Sequence, residues 1–375
     1  MISSGGQQSD VFRFADEIGP KKIVAIYDPS CGLKAILVVD NVAAGPSIGG
    51  TRMAPDVSLE ECFRLARAMT MKNAAASLPH GGGKSVIFAD PDMEPHAKET
   101  LIRAFARAVG EITDYIPGPD MGTNETAMAW VHDEIGRAVG LPREIGGIPL
   151  DEIGATGFGL AIAAEAAQDH AGISLKGARI AVQGYGAVGR HAARSLAERG
   201  AVLVGVSDSQ GTLIGKDGLD HTALEALKAE GRSVTDAPFG TTADRDAIIG
   251  VDCDILIPAA RPDVLSSDNV DLLKTRLVLQ GANIPATEEA EIQLHQRGVV
   301  SVPDFIANAG GVICAAVEYH GGTQSQAFSA IEDKVRDNTR TVLERARQNK
   351  IRPREAAVAL ARERVLSVQK LRRFA

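Results

Sequence analysis

The chain has 375 residues, 45% apolar and 23% charged, with 40 Lys and Arg against 48 Asp and Glu for a formal charge of −8. That length suggests two domains and leaves ample chain for a core, and the composition excludes a disordered or collagen-like chain. The mildly acidic balance argues against nucleic acid or an anionic membrane as partner, and no apolar run reaches the ~18 residues of a membrane span.

The first ten residues, MISSGGQQSD, are polar. They lack the charged start and apolar stretch of a signal peptide and read as a frayed tail, so a cytoplasmic protein is expected. Residues 23–40 read as two strands joined by a turn at 29–32. Ser58 opens a helix, with Glu61 at capping-box spacing, that runs until just before Pro79. HGGGK (80–84) reads as a glycine loop before the strand SVIFA. A helix follows Pro95, with Leu101, Phe105 and Ala108 on one face. PGPDMGTN reads as a Gly/Pro loop leading into a helix near 124–139. The Gly- and Pro-rich stretch 140–155 marks a domain boundary. Beyond it, short apolar strands alternate with helices (ARIAVQ, AVLVGVSD, DILIPAA, RLVLQGAN, GVVSVPDF), the pattern of a parallel sheet covered on both faces. Two helices, about 324–348 and 353–372, end the chain. Residues 333–375 hold 13 Lys and Arg against 5 Asp and Glu. Their apolar spacing and lack of interleaved aromatics point to a solvated helix face or a subunit contact rather than a nucleic-acid patch. Cys31, Cys62, Cys253 and Cys314 form no CxxC and no zinc-spaced cluster, so buried thiols in a reducing compartment are expected, and no metal.

Residues 184–189 read Gly184-Tyr185-Gly186-Ala187-Val188-Gly189, directly after a strand and directly before a helix. In that context GxGxxG is a dinucleotide loop. Gly184 permits the tight turn, Gly186 lets backbone approach a pyrophosphate, and Gly189 lets helix and strand pack closely. The helix N-terminus then binds the negative charge. Asp208, 19 residues after Gly189, ends the next strand and would accept hydrogen bonds from the adenine ribose. No Lys or Arg follows it until Lys216, which favours NAD over NADP. In the first half, Lys72 and Lys84 lie 12 residues apart and Asp120 sits in a Gly/Pro loop. Two lysines and a carboxylate beside a nicotinamide could bind a carboxylate and move protons. A Lys between glycine backbone and a second cation has a lowered pKa.

Together GPSIGGTRMAPD, MKNAAASLPHGGGKSVIF, GPDMGTN, ATGFG, QGYGAVG, DILIPAA, QGANIP and VPDFIANAGGVI resemble the amino-acid dehydrogenase family, which contains the glutamate, leucine, phenylalanine and valine dehydrogenases. The motifs follow the family's order over about residues 23–350. The resemblance implies an N-terminal α/β substrate and oligomerisation domain (1–145) and a C-terminal Rossmann, doubly wound NAD-binding domain (146–340). The C-terminal helices (340–375) would pack back on the first, and the active site would lie in the cleft between domains. It implies a homo-oligomer that reversibly deaminates an L-amino acid to a 2-oxo acid and ammonia. Lys72 would bind the α-carboxylate, Lys84 would activate the attacking water, and Asp120 would exchange protons with the amino group. Gly50 would offer backbone near the carboxylate. Thr156, Asn283 and Asn308 would lie at the nicotinamide and its ribose.

Glutamate dehydrogenases carry a Lys immediately before the Gly-Gly that precedes the Arg of the motif, and it pairs with the side-chain carboxylate. This chain has Ile48 there. Gly118, Val312 and Ala315 at the other matched pocket positions are likewise apolar or small. An unpaired carboxylate against them costs several kcal/mol, roughly. An apolar substrate, Leu-, Val- or Phe-like, is therefore expected. The alternatives are a glutamate dehydrogenase using another cation, Arg52 being nearest, and a catalytically silent nucleotide-binding regulator.

Overall fold

The computed structural model describes residues 11–372; the expected N-terminal tail lies outside the described residues. The chain divides into two compact units. The first holds the residues up to Thr70, Pro79–Ala138 and those from Val365 on, and the second holds Met71–Leu78 and Val139–Arg364.

In the first unit, β1 (Lys22–Asp28) and β2 (Leu33–Asn41) form the expected hairpin, antiparallel from Lys22 opposite Val39 to Asp28 opposite Leu33. Then come β3 (Ser47–Met53), α1 (Leu59–Ala75), β4 (Gly81–Ile87), α2 (Pro95–Ala108), β5 (Tyr115–Pro119) and α3 (Glu125–Ile135). The strands make one sheet in the order β1-β2-β4-β3-β5. Cys62 and Ala66 of α1 bury Val38 and Val86 of that sheet. α2 and α3 pack on each other and against β2 and β5.

Two segments that read as loops are strands. Gly81–Lys84 lie inside β4, in the middle of the sheet. Their glycines answer crowding rather than flexibility: a Cβ on Gly81 would lie 1.6 Å from the Asn41 carbonyl oxygen, and one on Gly82 2.0 Å from the Thr70 amide nitrogen. Lys84 is therefore held on a strand, not on a mobile loop. Pro117 and Pro119 lie in β5, which tolerates them because it is the sheet's edge. Strand β3, which the sequence does not announce, is crossed by the same crowding, since a Cβ on Gly49 would meet the Gly83 carbonyl oxygen at 1.6 Å.

The second unit contains α4 (Ala155–Ala171), β6 (Arg179–Gln183), α5 (Ala187–Ala197), β7 (Val202–Ser207), β8 (Thr212–Ile214), α6 (His221–Ala229), β9 (Thr241–Ala243), β10 (Ile255–Pro258) and β11 (Leu277–Leu279). It continues with α7 (Glu288–Gln296), β12 (Val300–Val302), α8 (Asp304–Ala307), α9 (Gly310–Tyr319) and α10 (Gln324–Asn349), and α11 (Pro353–Gln369) runs on past Arg364. The sheet order is β12-β11-β10-β6-β7-β8-β9. The five strands from β12 to β7 are parallel, as expected. The other two depart from expectation: β8 turns back on β7, with Thr212 opposite Ser207, and β9 adds antiparallel to β8. A tight turn closed by the Asp208 amide on the Gly211 carbonyl (3.0 Å) makes that reversal. The order of the strands reverses at β6 and β10, so this is a doubly wound sheet whose binding crevice lies at the carboxyl ends of those two strands.

Several cations of the basic C-terminal helices are paired within the fold. Arg336 pairs with Glu165 and Glu332, Arg345 with Glu363, and Arg352 with Glu288 and Glu355. Cys62, Cys253 and Cys314 are buried, Cys31 is half-buried, and all four are free thiols. Among the described residues no helix is long and apolar enough to cross a membrane.

The crowding at β4 is testable. Gly82→Ala must push a methyl into the backbone of α1, and overpacking of this kind costs about 1–3 kcal/mol or more. Urea unfolding should show that loss. An unchanged midpoint would mean that α1 and β4 are not in the contact described.

Candidate active site

In the first unit the strand register gathers the expected residues. Gly50 lies opposite Gly118 across β3 and β5, and Ile48 opposite Gly82 across β3 and β4. Since side chains alternate along a strand, Ile48, Gly50 and Arg52 share one face with Gly82 and Lys84. Lys84 is 3% exposed, and its Nζ lies 2.7 Å from Asp120 Oδ1. Asp120 follows β5 directly and is held from its other oxygen by Arg52, whose Nε donates at 2.6 Å. Arg52 Nη1 donates in turn to Glu61 on α1 at 2.5 Å. Gly50 has no alternative: a Cβ there would lie 2.9 Å from Lys84 Nζ and 2.8 Å from the Asp120 Cβ. Ile48 is buried at 3% exposure. Lys72 lies half-buried in the last turn of α1, in the piece grouped with the second unit.

These contacts set the charges. Burial pushes the Lys84 pKa below the usual lysine value, Arg52 adds to that push, and the Asp120 carboxylate opposes it. The cation that presses on Lys84 is thus Arg52. Burial alone would raise the Asp120 pKa, but Lys84 and Arg52 together outweigh it and hold the carboxyl below its usual value. The motif spacing did not reveal the Arg52–Glu61 link.

In the second unit the expected residues follow strand ends. Gly184 takes φ +94, and a Cβ on it would meet Ala260 at 2.6 Å. A Cβ on Gly189 would lie 2.0 Å from the Gly184 carbonyl oxygen, whereas around Gly186 nothing stands within 4 Å. The amides of Gly184 and Tyr185 donate to the Ser207 carbonyl at 3.1 and 2.8 Å. Gly186 caps α5 with no side-chain bond, so the N–H groups of Ala187, Val188 and Gly189 form an open helix N-terminus. A cavity of about 470 Å³ lies beside this loop. Tyr185 is among its lining residues, and the Tyr185 hydroxyl is buried without a hydrogen-bond partner.

Asp208 lines the same cavity but differs from expectation in its company. Its Oδ1 accepts from the Gln210 amide and the Ser233 hydroxyl, both at 3.0 Å. Its Oδ2 accepts from the Val234 amide at 2.9 Å and from Lys228 Nζ at 3.0 Å. The sequence shows no cation near Asp208, yet α6 returns Lys228 to it, and Arg245 and Arg261 also line the cavity. Distance along the chain was the wrong measure.

Thr156 stands in the first turn of α4, its Oγ1 3.1 Å from where a Cβ on Gly311 would be, so the Gly310–Gly311 start of α9 packs directly on it. Val312 and Ala315 follow on α9 at i, i+3 spacing, on one side of the helix. Asn308 Nδ2 donates to the carbonyls of Gly281 and Ala282 and to Asn283 Oδ1 at 3.2–3.3 Å. Its own Oδ1 is buried and has no partner. The open glycine cradle, the N-terminal amides of α5 and this buried acceptor fit a dinucleotide with a carboxamide.

The fold and these sites define a dinucleotide-dependent oxidoreductase. Residues 146–373 match the Glutamate/Leucine/Phenylalanine/Valine dehydrogenase family, and residues 20–137 match its Glu/Leu/Phe/Val dehydrogenase, dimerisation domain. The chain is 37% identical over 356 residues to a glutamate dehydrogenase of Aeropyrum pernix, covering 88% of this chain and 85% of that one. It is 38% identical over 357 residues to an NADP-specific glutamate dehydrogenase of Saccharolobus shibatae, covering 88% and 83%. Among solved structures, a hetero-hexameric glutamate dehydrogenase from Thermus thermophilus in its Leu-bound form superposes with a TM-score of 0.82 at 30% identity over 94% of this chain and 90% of that one. The L-tryptophan dehydrogenase of Nostoc punctiforme does so with 0.75 at 26% identity over 94% and 98%. The chain belongs to the Glu/Leu/Phe/Val dehydrogenase family. It is an amino-acid dehydrogenase that uses a pyridine nucleotide.

Replacing Asp120 by Asn removes the charge that raises the Lys84 pKa while keeping the shape of the site. The midpoint for carbamylation of Lys84 by cyanate, followed by peptide mass spectrometry across pH, should move to lower pH. An upward move would contradict the electrostatic account.

Proposed function

We propose that this enzyme reversibly deaminates an apolar L-amino acid to its 2-oxo acid and ammonia, and that it works as a homo-oligomer. The observation that carries the substrate class is Ile48, buried on the strand face that bears Lys84. A substrate carboxylate placed there would lose its water without gaining a cation, at several kcal/mol, roughly. Arg52 is no substitute, because it is already bonded to Asp120 and Glu61. Gly118, Val312 and Ala315 are the further apolar or small positions assigned to the pocket. A second reading, glutamate as substrate, is favoured by the names of relatives at 37–38% identity.

The bound dinucleotide supplies the acceptor for the hydride from Cα. The residues do the rest. In this reading Lys72 holds the α-carboxylate, with backbone at Gly50 beside it. Asp120, kept ionised by its two cations, takes a proton from the substrate ammonium. Its neutralisation withdraws the charge that raises the Lys84 pKa, so Lys84 passes its proton to solvent more readily and, as the neutral amine, can take a proton from the water that attacks the iminium carbon. The acid and the base are thereby coupled through a 2.7 Å contact. Thr156, Asn283 and Asn308 hold the nicotinamide side, and the 184–189 loop the pyrophosphate.

The choice of nucleotide turns on Asp208. A free carboxylate would favour NAD through the ribose hydroxyls, and that remains the proposal. Its oxygens already take four bonds, however, and Lys228, Arg245 and Arg261 would welcome a 2′-phosphate.

The substrate test is NADH or NADPH formation across the twenty amino acids. An aliphatic or aromatic substrate should exceed glutamate by at least about tenfold in kcat/KM, and Ile48→Lys should move the ratio toward glutamate by a similar factor. Equal or better use of glutamate by the wild type would overturn the apolar assignment.

Lys228→Gln tests the cofactor pocket. Use of NADP should fall by about tenfold in kcat/KM, with a smaller change for NAD. A uniform loss with both would place Lys228 outside the 2′ position.

A further inference from the structure

The loop that follows β11 carries a strained residue at an exposed place. Ile284 has φ +50, in the left-handed region that β-branched side chains avoid, and its side chain is 45% exposed, so packing does not explain it. Pro285 comes next and narrows its choices further. Asp263, also at φ +53, donates its amide to the Ile284 carbonyl at 2.9 Å. Strain of this kind persists only where neighbours over-determine it, and it gathers at functional sites.

The neighbour is Asp304. Its Oδ2 accepts the Ile284 amide at 2.9 Å, and its buried Oδ1, which takes no hydrogen bond, is held by charge alone, 3.0 Å from Arg354 Nη2. Arg354, at the start of α11, also donates through Nε to both oxygens of Glu291 at 2.7 Å and through Nη2 to Gln280 Oε1 at 2.8 Å. Gln280, Glu291 and Asp304 are all buried. One guanidinium therefore ties together the residue before the loop (Gln280) and the carboxylate that pins the loop's end (Asp304). Between them lie Gly281, Ala282 and Asn283, whose oxygens Asn308 gathers.

We infer that Arg354 and Asp304 are positioning residues for the dinucleotide: they clamp the 281–284 loop in its strained turn so that Asn283 and Asn308 present their amides to the ligand, without touching it themselves. The inference rests on the nicotinamide role proposed for Asn283 and Asn308. The clamp and the strain make one device, because the turn without Asp304 relaxes toward negative φ at Ile284 and swings Asn283 away.

The test is direct NADH and NADPH binding by fluorescence, with steady-state kinetics alongside. Asp304→Ala should weaken binding of the preferred nucleotide about tenfold while leaving KM for the amino acid within about threefold. Ile284→Gly alone should bind like wild type, since glycine takes φ +50 without steric cost. The double variant Asp304→Ala/Ile284→Gly should recover at least about threefold of the lost affinity, a rescue that a merely structural loss would not show. If Asp304→Ala does not fold, Arg354→Lys gives the same reading, because one ammonium cannot span Glu291, Gln280 and Asp304. It should raise the nucleotide KM, and Ile284→Gly should lower it again. Variants that bind nucleotide as the wild type does, or a double variant no better than the single one, would overturn the clamp alone. A wild type that binds neither nucleotide would remove the functional reading itself.

Discussion

The candidate site of the first unit depends on a buried ammonium touching a carboxylate that also touches a guanidinium. Lys84, Asp120 and Arg52 form a chain of charges in which the ammonium is buried, while the Arg52 and Asp120 side chains keep 20% and 22% exposure. Breaking a buried pair by removing one partner costs about 3–5 kcal/mol, because the other is left uncompensated. The surrounding sequence serves this contact. Gly50 leaves room for Nζ, the glycines of β4 let α1 and its neighbours close over the strand, and Glu61 steadies the far side of Arg52. A loop could carry the same residues but could not hold an ammonium out of water at 2.7 Å from its partner.

The second unit builds its site by a different rule. Its residues are contributed by the carboxyl ends of β6, β7, β10 and β11, and each strand delivers one element: the glycine turn, Asp208, the 259–261 wall and the 281–284 loop. The parallel sheet fixes where these loops begin, and helix and hairpin insertions fix what else arrives there. The antiparallel β8 and β9 make room for the 221–236 segment to return Lys228, Ser233 and Val234 to Asp208.

The sequence made the family legible, and with it the two α/β units and the residues of the glycine loop, because those depend on short contiguous patterns. The alternation of strand and helix after residue 155 was legible for the same reason. What escaped depends on neighbours far along the chain. Gly81–Gly83 look like a loop to any local rule, since only the approach of Asn41, Thr70 and Ser47 explains why a central strand must be bare there. Pro117 and Pro119 look like breakers until β5 is known to be an edge. The absence of a cation near Asp208 was true of the sequence and untrue of space. Arg354, 50 residues from Asp304, carries no motif that ties it to the 281–284 loop.

Three aspartates illustrate why residue type alone does not set a role. Asp120, Asp208 and Asp304 each lie beside one cation or more. A carboxylate has about four lone-pair sites, and their occupancy decides what remains to be done. Asp208 accepts four bonds from its own fold, so a bond to a ribose hydroxyl has to be made in exchange for one of them. Asp304 holds a backbone amide on one oxygen and a guanidinium on the other, which makes it a brace. Asp120 accepts one side-chain donor on each oxygen among the described residues, and both donors are cations. It is therefore kept ionised yet left with lone pairs to spare, the condition a group must meet to receive a proton and return it. The neighbours that hold a carboxylate thus decide whether it can move a proton or only hold something else in place.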